Sequence, residues 1–355
     1  MAIKLTPGKL YFIRDVDYLT GEVGNYVKIG IVTKSRTTEK RMKEHQTGNP
    51  RGIFEVHEVV DVPFVERLET HIHYEYNERW ITGEWFLLDK KETKAVYQRA
   101  EALKTEQIAS QKTVRNALEK LLVTLSNGKI KKATKAGKAL EAKLLKLKAD
   151  LNILAAQIDI SKYAFYKEME ANGSIEGVVR IKYTPPAYNF DEAAFKKAHP
   201  KIYKKYVVKK PDKWSHRFNL SKVSTASLSK IDPTLNATKK ALGTTTYTKK
   251  QLSNTKKRTK KLEKMHLDHL VLLRKEKLYS FEYEMLQYEL QALVGAYEGI
   301  DGICTWPRTT QKVADAFDTA GFKEAEPALY DKFCTKPRKE SFAMEVEKSR
   351  AYKPR

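Results

Sequence analysis

The sequence predicts an α+β protein, with short strands and helices in the first 90 residues and a mostly helical, basic tail behind them. Two observations lead to this prediction. Short segments of the first 90 residues are rich in Tyr, Phe, Val and Ile and are separated by Gly, Asn and Pro, as is typical of strands joined by turns. In the tail, apolar residues recur at spacings of three and four over long stretches, which is typical of amphipathic helices.

The chain carries a large excess of positive charge. Its 355 residues contain 67 Lys and Arg against 44 Asp and Glu, a net charge of +23, and 41% of them are hydrophobic. This hydrophobic share allows a folded core, and no stretch reaches the roughly 18 unbroken apolar residues of a membrane span. We therefore expect a cytoplasmic protein with no membrane partner. Nucleic acid is the expected partner, because each Lys or Arg that neutralises a phosphate releases condensed counterions.

The first 90 residues, called the head below, predict three strands and two helices in order. The strands are residues 9–14, 26–32 and 53–60. A long loop rich in Asp and Gly joins the first two strands as a hairpin. One helix is capped by Thr37 or Thr38 and runs to about Gln46, and Pro63 introduces the other.

Periodicity places the polar side chains of these elements. Alternation along residues 26–32 puts Lys28 and Gly30 on the face opposite three aliphatic side chains. In the helix after Pro63, Glu69 and His73 are four residues apart and lie together beside the apolar stripe. The sequence therefore predicts one polar face on the second strand and another on the second helix.

Five short motifs of the head occur in the order LYFI, KIG, RMKEHQTGNP, ERLETHIHYEY and GEWF. They resemble the GIY-YIG nuclease superfamily, in the phage-type branch where KIG stands in place of YIG, and the resemblance covers residues 8–88. It implies a small three-stranded antiparallel sheet flanked by helices, holding one divalent metal ion, Mg²⁺ or Mn²⁺. Within this pattern, Lys28 replaces a tyrosine, and LYFI lacks the glycine directly before its isoleucine.

The resemblance assigns roles to five residues. Tyr11 matches the tyrosine of the first motif, Lys28 the tyrosine position of the second, Arg41 the family arginine, Glu69 the metal-binding carboxylate, and His73 a histidine that often follows it. Glu84, in GEWF, is a candidate structural residue. It also implies a host-cell cytoplasmic location if the chain is phage-encoded.

These residue types suit phosphodiester hydrolysis. A guanidinium such as Arg41 stabilises the charge that develops on the phosphate oxygens. A single carboxylate such as Glu69 is enough for Mg²⁺, which keeps most of its waters. Tyr11 is the candidate base, its phenol pushed toward phenolate by Lys28 and the metal, and His73 either shares that task or holds Glu69.

Simpler interpretations exist for each of these residues. Taken singly, Tyr11 is a half-buried strand aromatic, Lys28 a solvent-facing strand residue, and Arg41 and Glu69 are surface helix charges. His71 and His73 also form an H-x-H pair that can bind zinc, but no further Cys or His of the head completes such a site. The order of the five motifs favours the catalytic interpretation.

Positive charge is concentrated in the tail, since residues 1–90 contain 13 basic and 14 acidic residues. Three basic stretches stand out at 129–148, 196–217 and 249–264. We expect phosphate contacts from the second and third of them. The candidate nucleic-acid-binding residues are Lys196, Lys197, Lys204, Lys205, Lys209, Lys210, Arg217, Lys256, Lys257, Arg258, Lys260 and Lys261.

A duplicated module organises the tail. FDEAAFKKAHPKIYKKY, beginning at Phe190, aligns without gaps with FDTAGFKEAEPALYDKF, beginning at Phe317, and each copy follows a long helical pattern. Asp191 and Asp318 are predicted helix N-caps. The two cysteines, Cys304 and Cys334, align with valines and are predicted to be small core residues.

The first copy, with HRFNL behind it, also resembles the C-terminal segment of YqaJ-type phage recombination exonucleases, which suggests phage DNA metabolism but no chemistry. The predicted division is a nuclease domain at 1–90, a helical region with the first module at 91–220, a basic Ser/Thr/Lys linker at 221–253, and a long helix with the second module at 254–350.

The sequence favours a divalent-metal-dependent DNA endonuclease whose basic tail binds DNA. A non-cleaving DNA-binding or assembly protein with a degenerate GIY-YIG domain is the alternative, and Lys28 in place of tyrosine keeps it open. A third interpretation has the tail bind an acidic protein. The long helices are compatible with a homodimer.

Overall fold

A computed structural model describes residues 5–33, 37–47, 51–222 and 247–348, together with the isolated positions 234, 237 and 240. It has the predicted α+β architecture, with an antiparallel sheet in the head and a mostly helical tail. Most of the predicted linker 221–253 lies outside the described residues, as does the C-terminal end after residue 348. None of the described helices is both long and apolar enough to cross a membrane.

The head is a five-stranded antiparallel sheet. The three predicted strands form, and two strands of three residues each join them at one edge, in the order β3-β1-β2-β5-β4. The head strands are β1 Gly8–Val16, β2 Val23–Thr33, β3 Gly52–Val62, β4 Trp80–Thr82 and β5 Trp85–Leu87. The head helices are α1 Thr38–Gln46, capped by Thr37, and α2 Val65–Glu75.

The two faces of this sheet are covered differently. One face carries Leu10, Phe12 and Val27, which are fully buried in a core shared with α2 and the tail. The opposite face carries Tyr11 and Ile13, packed in a small separate cluster with Met42 of α1, Val32 and Ile53. Because side chains alternate along a strand, the same face also receives Lys28, the register partner of Ile13. The predicted placement of Lys28, on the face of β2 opposite its aliphatic side chains, is therefore confirmed.

The tail begins with α3 Lys90–Leu103, closed at its start by a capping box between Asp89 and Glu92. Its two longest helices, of 35 residues each, pack along one another. The further described helices are α4 Gln111–Leu121, α5 Lys135–Met169, α6 Glu192–Ala198, α7 Pro200–Lys205, α8 Lys249–Ser253, α9 Lys260–Val294, α10 Thr319–Ala325 and α11 Pro327–Lys332.

Short strands connect these helices. They are β6 Ile130–Lys131, β7 Ser174–Ile175, β8 Val179–Thr184, β9 Ala187–Asn189, β10 Val207–Val208, β11 Lys213–His216, β12 Asn219–Leu220, β13 Thr255–Lys256, β14 Gly299–Ile300, β15 Cys304–Thr305, β16 Arg308–Gln311, β17 Ala316–Phe317, β18 Lys336–Arg338 and β19 Ser341–Val346. Cys304 is buried as predicted, whereas Cys334 is only half-buried.

The two sequence copies occupy equivalent elements over a longer span than the aligned block. Helix α5 and helix α9 have the same length and begin 125 residues apart, capped by Thr134 and Thr259. Farther along, α6–α7 and α10–α11 repeat at an offset of 127, and their predicted caps Asp191 and Asp318 each accept a backbone N–H three residues ahead. The long helices therefore belong to the duplicated unit.

The two copies pair with each other through equivalent strands. Strand β6 of the first copy pairs with β14 of the second, and β13 of the second pairs with β7 of the first. In the same way β9 pairs with β18, and β10 with β17. Phe190 stacks on Tyr330 with ring centroids 4.9 Å apart, and Phe317 stacks on Tyr203 at 4.8 Å. This arrangement is that of a two-fold symmetric dimer contained in one chain.

The head packs on one long helix of this pair. Arg67 of α2 donates to both carboxylate oxygens of Glu282 on α9, at 2.5 to 2.9 Å. Phe64 meets Phe281 edge to face at 5.2 Å. Arg274 lies over the ring of Trp80 at 4.0 Å. These contacts hold α2, and with it the polar residues that it carries, against the tail.

The equivalent helix α5 lacks the residues that make this contact. At the offset of 125, Ala149, Ala156 and Gln157 stand where α9 has Arg274, Phe281 and Glu282. An alanine offers neither a guanidinium nor an aromatic ring to the head. The duplicated helices have therefore diverged, and the second one carries the residues that hold the head.

Candidate active site

Four of the predicted site residues face one another across the second face of the head sheet and its edge. Tyr11 lies on β1, Lys28 on the neighbouring strand β2, Arg41 on α1, and Glu69 on α2. Strand β5 pairs with β2 only along residues 26–28, so the β2 edge beyond this point is open to α2. The fold thus brings together residues from four separate motifs.

Tyr11 is fully buried and lies across Gly30, its register partner on β2. A Cβ at residue 30 would overlap the phenolic oxygen, so only glycine leaves room for the ring. The phenolic oxygen lies 3.2 Å from Nε2 of His45 and hydrogen bonds with Arg41. The glycine of the KIG motif therefore has a packing reason, because it makes space for the tyrosine of the first motif.

In the protein without a bound metal, the phenol of Tyr11 is not pushed toward phenolate. Burial, followed by the negative charge of Glu84, raises the pKa of Tyr11 to about 12, although Arg41 opposes the change. Lys28 does not push Tyr11 toward phenolate, since its ammonium pairs with Glu84 at 2.7 Å. Tyr11 is therefore a protonated phenol at neutral pH.

Glu84, which the sequence gives as a candidate structural residue, is the ion-pair partner of Lys28. Burial favours its neutral form, but the hydrogen bond and charge of Lys28, with His73 and Arg41, outweigh burial and lower the pKa of Glu84. Lys28 is itself buried, 8% exposed, and its Nζ lies 5.9 Å from the ring centre of Trp85. A buried ammonium needs such a counter-ion. The GEWF motif therefore supplies both a carboxylate and an aromatic ring to Lys28.

Glu69 is a buried carboxylate with an unsatisfied oxygen. It is 8% exposed, and its Oε1 has no hydrogen-bond partner among the described residues. Burial, followed by the charge of Glu84, raises the pKa of Glu69 to about 8, while Lys277 of α9 and Lys28 act in the opposite direction. A buried carboxylate oxygen without a hydrogen-bond partner is suited to bind a cation.

His73 attaches α2 to the sheet edge. Its Nε2 donates to the carbonyl oxygen of Ile29 at 2.9 Å, and its ring lies 5.0 Å from that of Phe86. Burial lowers the pKa of His73 to about 4, so the ring is neutral. The described hydrogen bond goes to the strand backbone, so His73 positions Glu69, one turn earlier on the helix, by fixing the helix itself.

His45 is a site residue that sequence reasoning missed. It lies on α1 four residues after Arg41, a spacing that places both side chains on the same face of the helix. Burial, followed by the charges of Lys28 and Arg41, lowers the pKa of His45, which keeps its ring neutral beside the Tyr11 hydroxyl. The i,i+4 spacing was the available signal for this role.

Within the described part of the chain, no group of three or more His, Cys, Asp or Glu side chains could hold a metal ion. His71 and His73 do not converge, since His71 pairs with Glu75 at 3.2 Å and His73 bonds to the β2 backbone. A site built on Glu69 would leave most of the coordination shell to water and substrate, as Mg²⁺ prefers.

The candidate nucleic-acid-binding residues fall into two groups. Those on and after α6 and α7 are exposed: Lys196, Lys197, Lys204, Lys205, Lys209, Lys210 and Arg217. In the third basic stretch, Lys256, Arg258 and Lys261 pair with Glu170, Glu263 and Glu168, at 2.8, 2.8 and 2.5 Å. The other two candidates of that stretch, Lys257 and Lys260, are exposed and take no part in these three ion pairs. The first group is thus the more available to a polyanion.

Comparison with known protein families gives a match for the head. The model of the T5orf172 domain, a phage-associated and nuclease-related family, matches residues 8–101. The match covers the whole sheet, α1, α2 and most of α3. No curated protein and no solved structure matches the chain.

Proposed function

We propose that this protein is a divalent-metal-dependent DNA endonuclease that hydrolyses phosphodiester bonds. The observation that carries the proposal is Glu69, a buried carboxylate with an unpartnered oxygen, in a segment that matches a nuclease-related family. Its charge acts on Tyr11, which itself hydrogen bonds with Arg41 and His45. A structural carboxylate at such a site would have its oxygens satisfied.

Glu69 is the residue that would hold the metal, Mg²⁺ or Mn²⁺. The unpartnered Oε1 fits this role, because a cation supplies the missing partner and removes the reason for the raised pKa. When bound, the metal acts as a Lewis acid at the phosphate and stabilises negative charge on its oxygens. Phosphate binding and proton transfer are carried out by side chains of the protein.

Arg41 binds and stabilises the scissile phosphate. Its side chain is 26% exposed, and its guanidinium joins the Glu44 carboxylate at 2.7 Å. A guanidinium held in this way reaches substrate while its orientation is fixed. Charge grows on the non-bridging oxygens as the nucleophile attacks, so Arg41 binds the transition state more tightly than the ground state.

Tyr11 and His45 move the proton of the attacking water. With a pKa raised to about 12, Tyr11 is a poor base by itself but a good relay. The water proton passes to the Tyr11 oxygen as the Tyr11 proton passes to Nε2 of His45, 3.2 Å away. The water oxygen then forms its bond to phosphorus, and the bond to the leaving oxygen breaks, so that the leaving oxygen keeps the electron pair and takes a proton from solvent.

One observation favours the alternative function, a non-cleaving DNA-binding or assembly protein. Lys28 stands where the GIY-YIG family has a tyrosine. Its ammonium forms an ion pair with Glu84 and does not lower the pKa of Tyr11. A head that has lost cleavage would retain this ion pair for stability alone. The two functions differ in whether Glu69 and Arg41 matter for anything beyond folding.

Cleavage of supercoiled plasmid DNA tests the proposal. The full chain with Mg²⁺ or Mn²⁺ is compared with Glu69→Gln and Arg41→Ala, and with Glu78→Gln as a control that changes an exposed carboxylate of the same segment. We expect nicking or linearisation by the wild type and the control, and its loss in the two site variants while DNA binding persists. Absence of cleavage on unmodified and phage-modified DNA alike, with tight salt-sensitive binding, would establish the alternative.

A further inference from the structure

The two paired copies differ in charge on otherwise matched surfaces. We call residues 190–217 the first lobe and residues 317–344 the second lobe. The first lobe has nine Lys and Arg against three Asp and Glu, and the second has five against five. Each lobe contains a helix pair with the same bounds at an offset of 127, and an aspartate caps the first helix of each pair. The difference therefore lies in the surface and not in the fold.

Individual positions make the contrast concrete. Lys197, Lys201 and Lys204 of the first lobe correspond to Glu324, Ala328 and Asp331 of the second. All six side chains are exposed. Backbone placement is equivalent in the two lobes, since Lys196 lies 5.1 Å from the ring centre of Tyr203 and Lys323 lies 5.2 Å from that of Tyr330.

The first lobe also carries an exposed aromatic side chain. Trp214 is 39% exposed and stacks on His216 with ring centroids 5.7 Å apart, whereas the second lobe contains no tryptophan. The lysines of the first lobe make no ion pair with described residues, unlike Lys256 and Lys261 of the third basic stretch. Unpaired lysines beside an exposed ring suit phosphates with bases stacked next to them.

We propose that the first lobe binds the phosphate backbone of nucleic acid and that the second lobe does not. The copies would then have divided two tasks, because the long helix of the second copy holds the head through Glu282 and the helix pair of the first copy holds the polyanion. Nucleic acid is favoured over an acidic protein because the head of the same chain matches a nuclease-related family. The inference rests on the proposed function for its choice of substrate.

The test uses the second lobe as a template. In the full chain, Lys197→Glu, Lys201→Ala and Lys204→Asp give the first lobe residues that the second lobe already tolerates in the same fold. A matched control makes the same change of net charge in the second lobe through Lys323→Glu, Lys332→Ala and Lys339→Asp, all exposed positions. Affinity for labelled duplex DNA is measured with EDTA over a salt series.

We expect the first-lobe variant to bind at least about tenfold more weakly, with a shallower dependence on salt, because each lost phosphate contact removes about 0.9 from the slope. The control should bind within about twofold of the wild type. Equal weakening of both variants would show that net charge alone attracts DNA, and an unchanged first-lobe variant would leave that surface to another polyanion such as an acidic protein. Either result overturns the inference.

This experiment tests the binding by the first lobe separately from the proposed nuclease activity. Binding in EDTA does not depend on cleavage, so a wild type that binds through the first lobe without cutting contradicts only the proposed nuclease. Metal-dependent cutting by a chain whose first-lobe variant binds normally contradicts only the division between the lobes.

Discussion

The phenol ring of Tyr11 lies directly across Gly30 of the neighbouring strand, where any Cβ would overlap the phenolic oxygen. We predict that Gly30→Ala displaces the ring from His45 and lowers the free energy of unfolding by about 1–3 kcal/mol, the usual cost of overpacking a filled space. Denaturant unfolding and plasmid cleavage measure the two effects.

A double variant separates packing from chemistry at this position. In Gly30→Ala with Tyr11→Phe, the added methyl group still meets a ring carbon, so stability should recover only in part, and cleavage should stay absent because the relay hydroxyl is gone. Gly83→Ala, at the first residue of GEWF, is unsuitable as a control, since its φ of 53° favours glycine. Wild-type cleavage by Gly30→Ala would contradict the proposed place of Tyr11.

Glu69 should make stability depend on pH. Its pKa is about 8 in the folded protein and near 4.5 when unfolded, so between these values the folded state holds a proton that the unfolded state has released. Stability without metal is therefore expected to fall as the pH rises from about 4.5 to about 8, by at most about 1.4 kcal/mol per pH unit, and then to level off.

Glu69→Gln removes the titrating group and should flatten this part of the curve. Thermal unfolding in EDTA from pH 5 to 9 compares the two proteins. Addition of Mg²⁺ should raise the Tm of the wild type more than that of Glu69→Gln, because binding to the folded state alone is stabilising. Parallel pH curves for the two proteins would show that Glu69 is ionised and satisfied without a metal.

Much of the head was predictable from sequence because its signals are local. The alternation in β2, the Thr37 cap and the i,i+4 pair of Glu69 and His73 each depend on residues a few positions apart. Strands β4 and β5 escaped prediction because three residues are too few to establish a period of two. They form where β2 offers an unpaired edge, which is a tertiary property.

The rest of the site depends on contacts between distant segments. The pairing of Lys28 with Glu84 and the approach of His45 to Tyr11 follow from how strands and helices pack, and no spacing rule contains them. The sequence revealed the duplication as an aligned aromatic block behind a long helical pattern in each copy. It did not reveal that α5 and α9 have the same length and equivalent caps, because their surface residues differ where α9 contacts the head.

The contact between Arg67 and Glu282 should dominate the attachment of the head to α9. Arg67 is 5% exposed, and Glu282→Gln, which places the α5 residue at the matched position, removes the negative charge of the carboxylate that the guanidinium binds. We expect a loss of about 3–5 kcal/mol in the free energy of unfolding. Gln157→Glu on α5 is the matched control and should change stability little, as Arg67 binds the carboxylate at the equivalent position of α9.

Replacing both partners, Arg67→Met with Glu282→Leu, should restore much of this stability, because two apolar side chains of similar volume remove the uncompensated charge. Unfolding curves of the single and double variants give the coupling energy of the pair. A double variant as unstable as the sum of its single changes would show that the pair is not the basis of the attachment.

Phe195 and Phe322 occupy matched positions in the two lobes, are both fully buried, and meet with ring centroids 4.6 Å apart in the shared aromatic cluster. Because reciprocal pairing gives them equivalent surroundings, Phe195→Ala and Phe322→Ala should destabilise by similar amounts, about 3–5 kcal/mol each. The double variant should cost less than the sum, since the rings touch. Tyr188→Ala, at an exposed position, serves as the control in denaturant unfolding. A large difference between the two single variants, or strict additivity in the double variant, would mean that the lobes fold around separate cores instead of one.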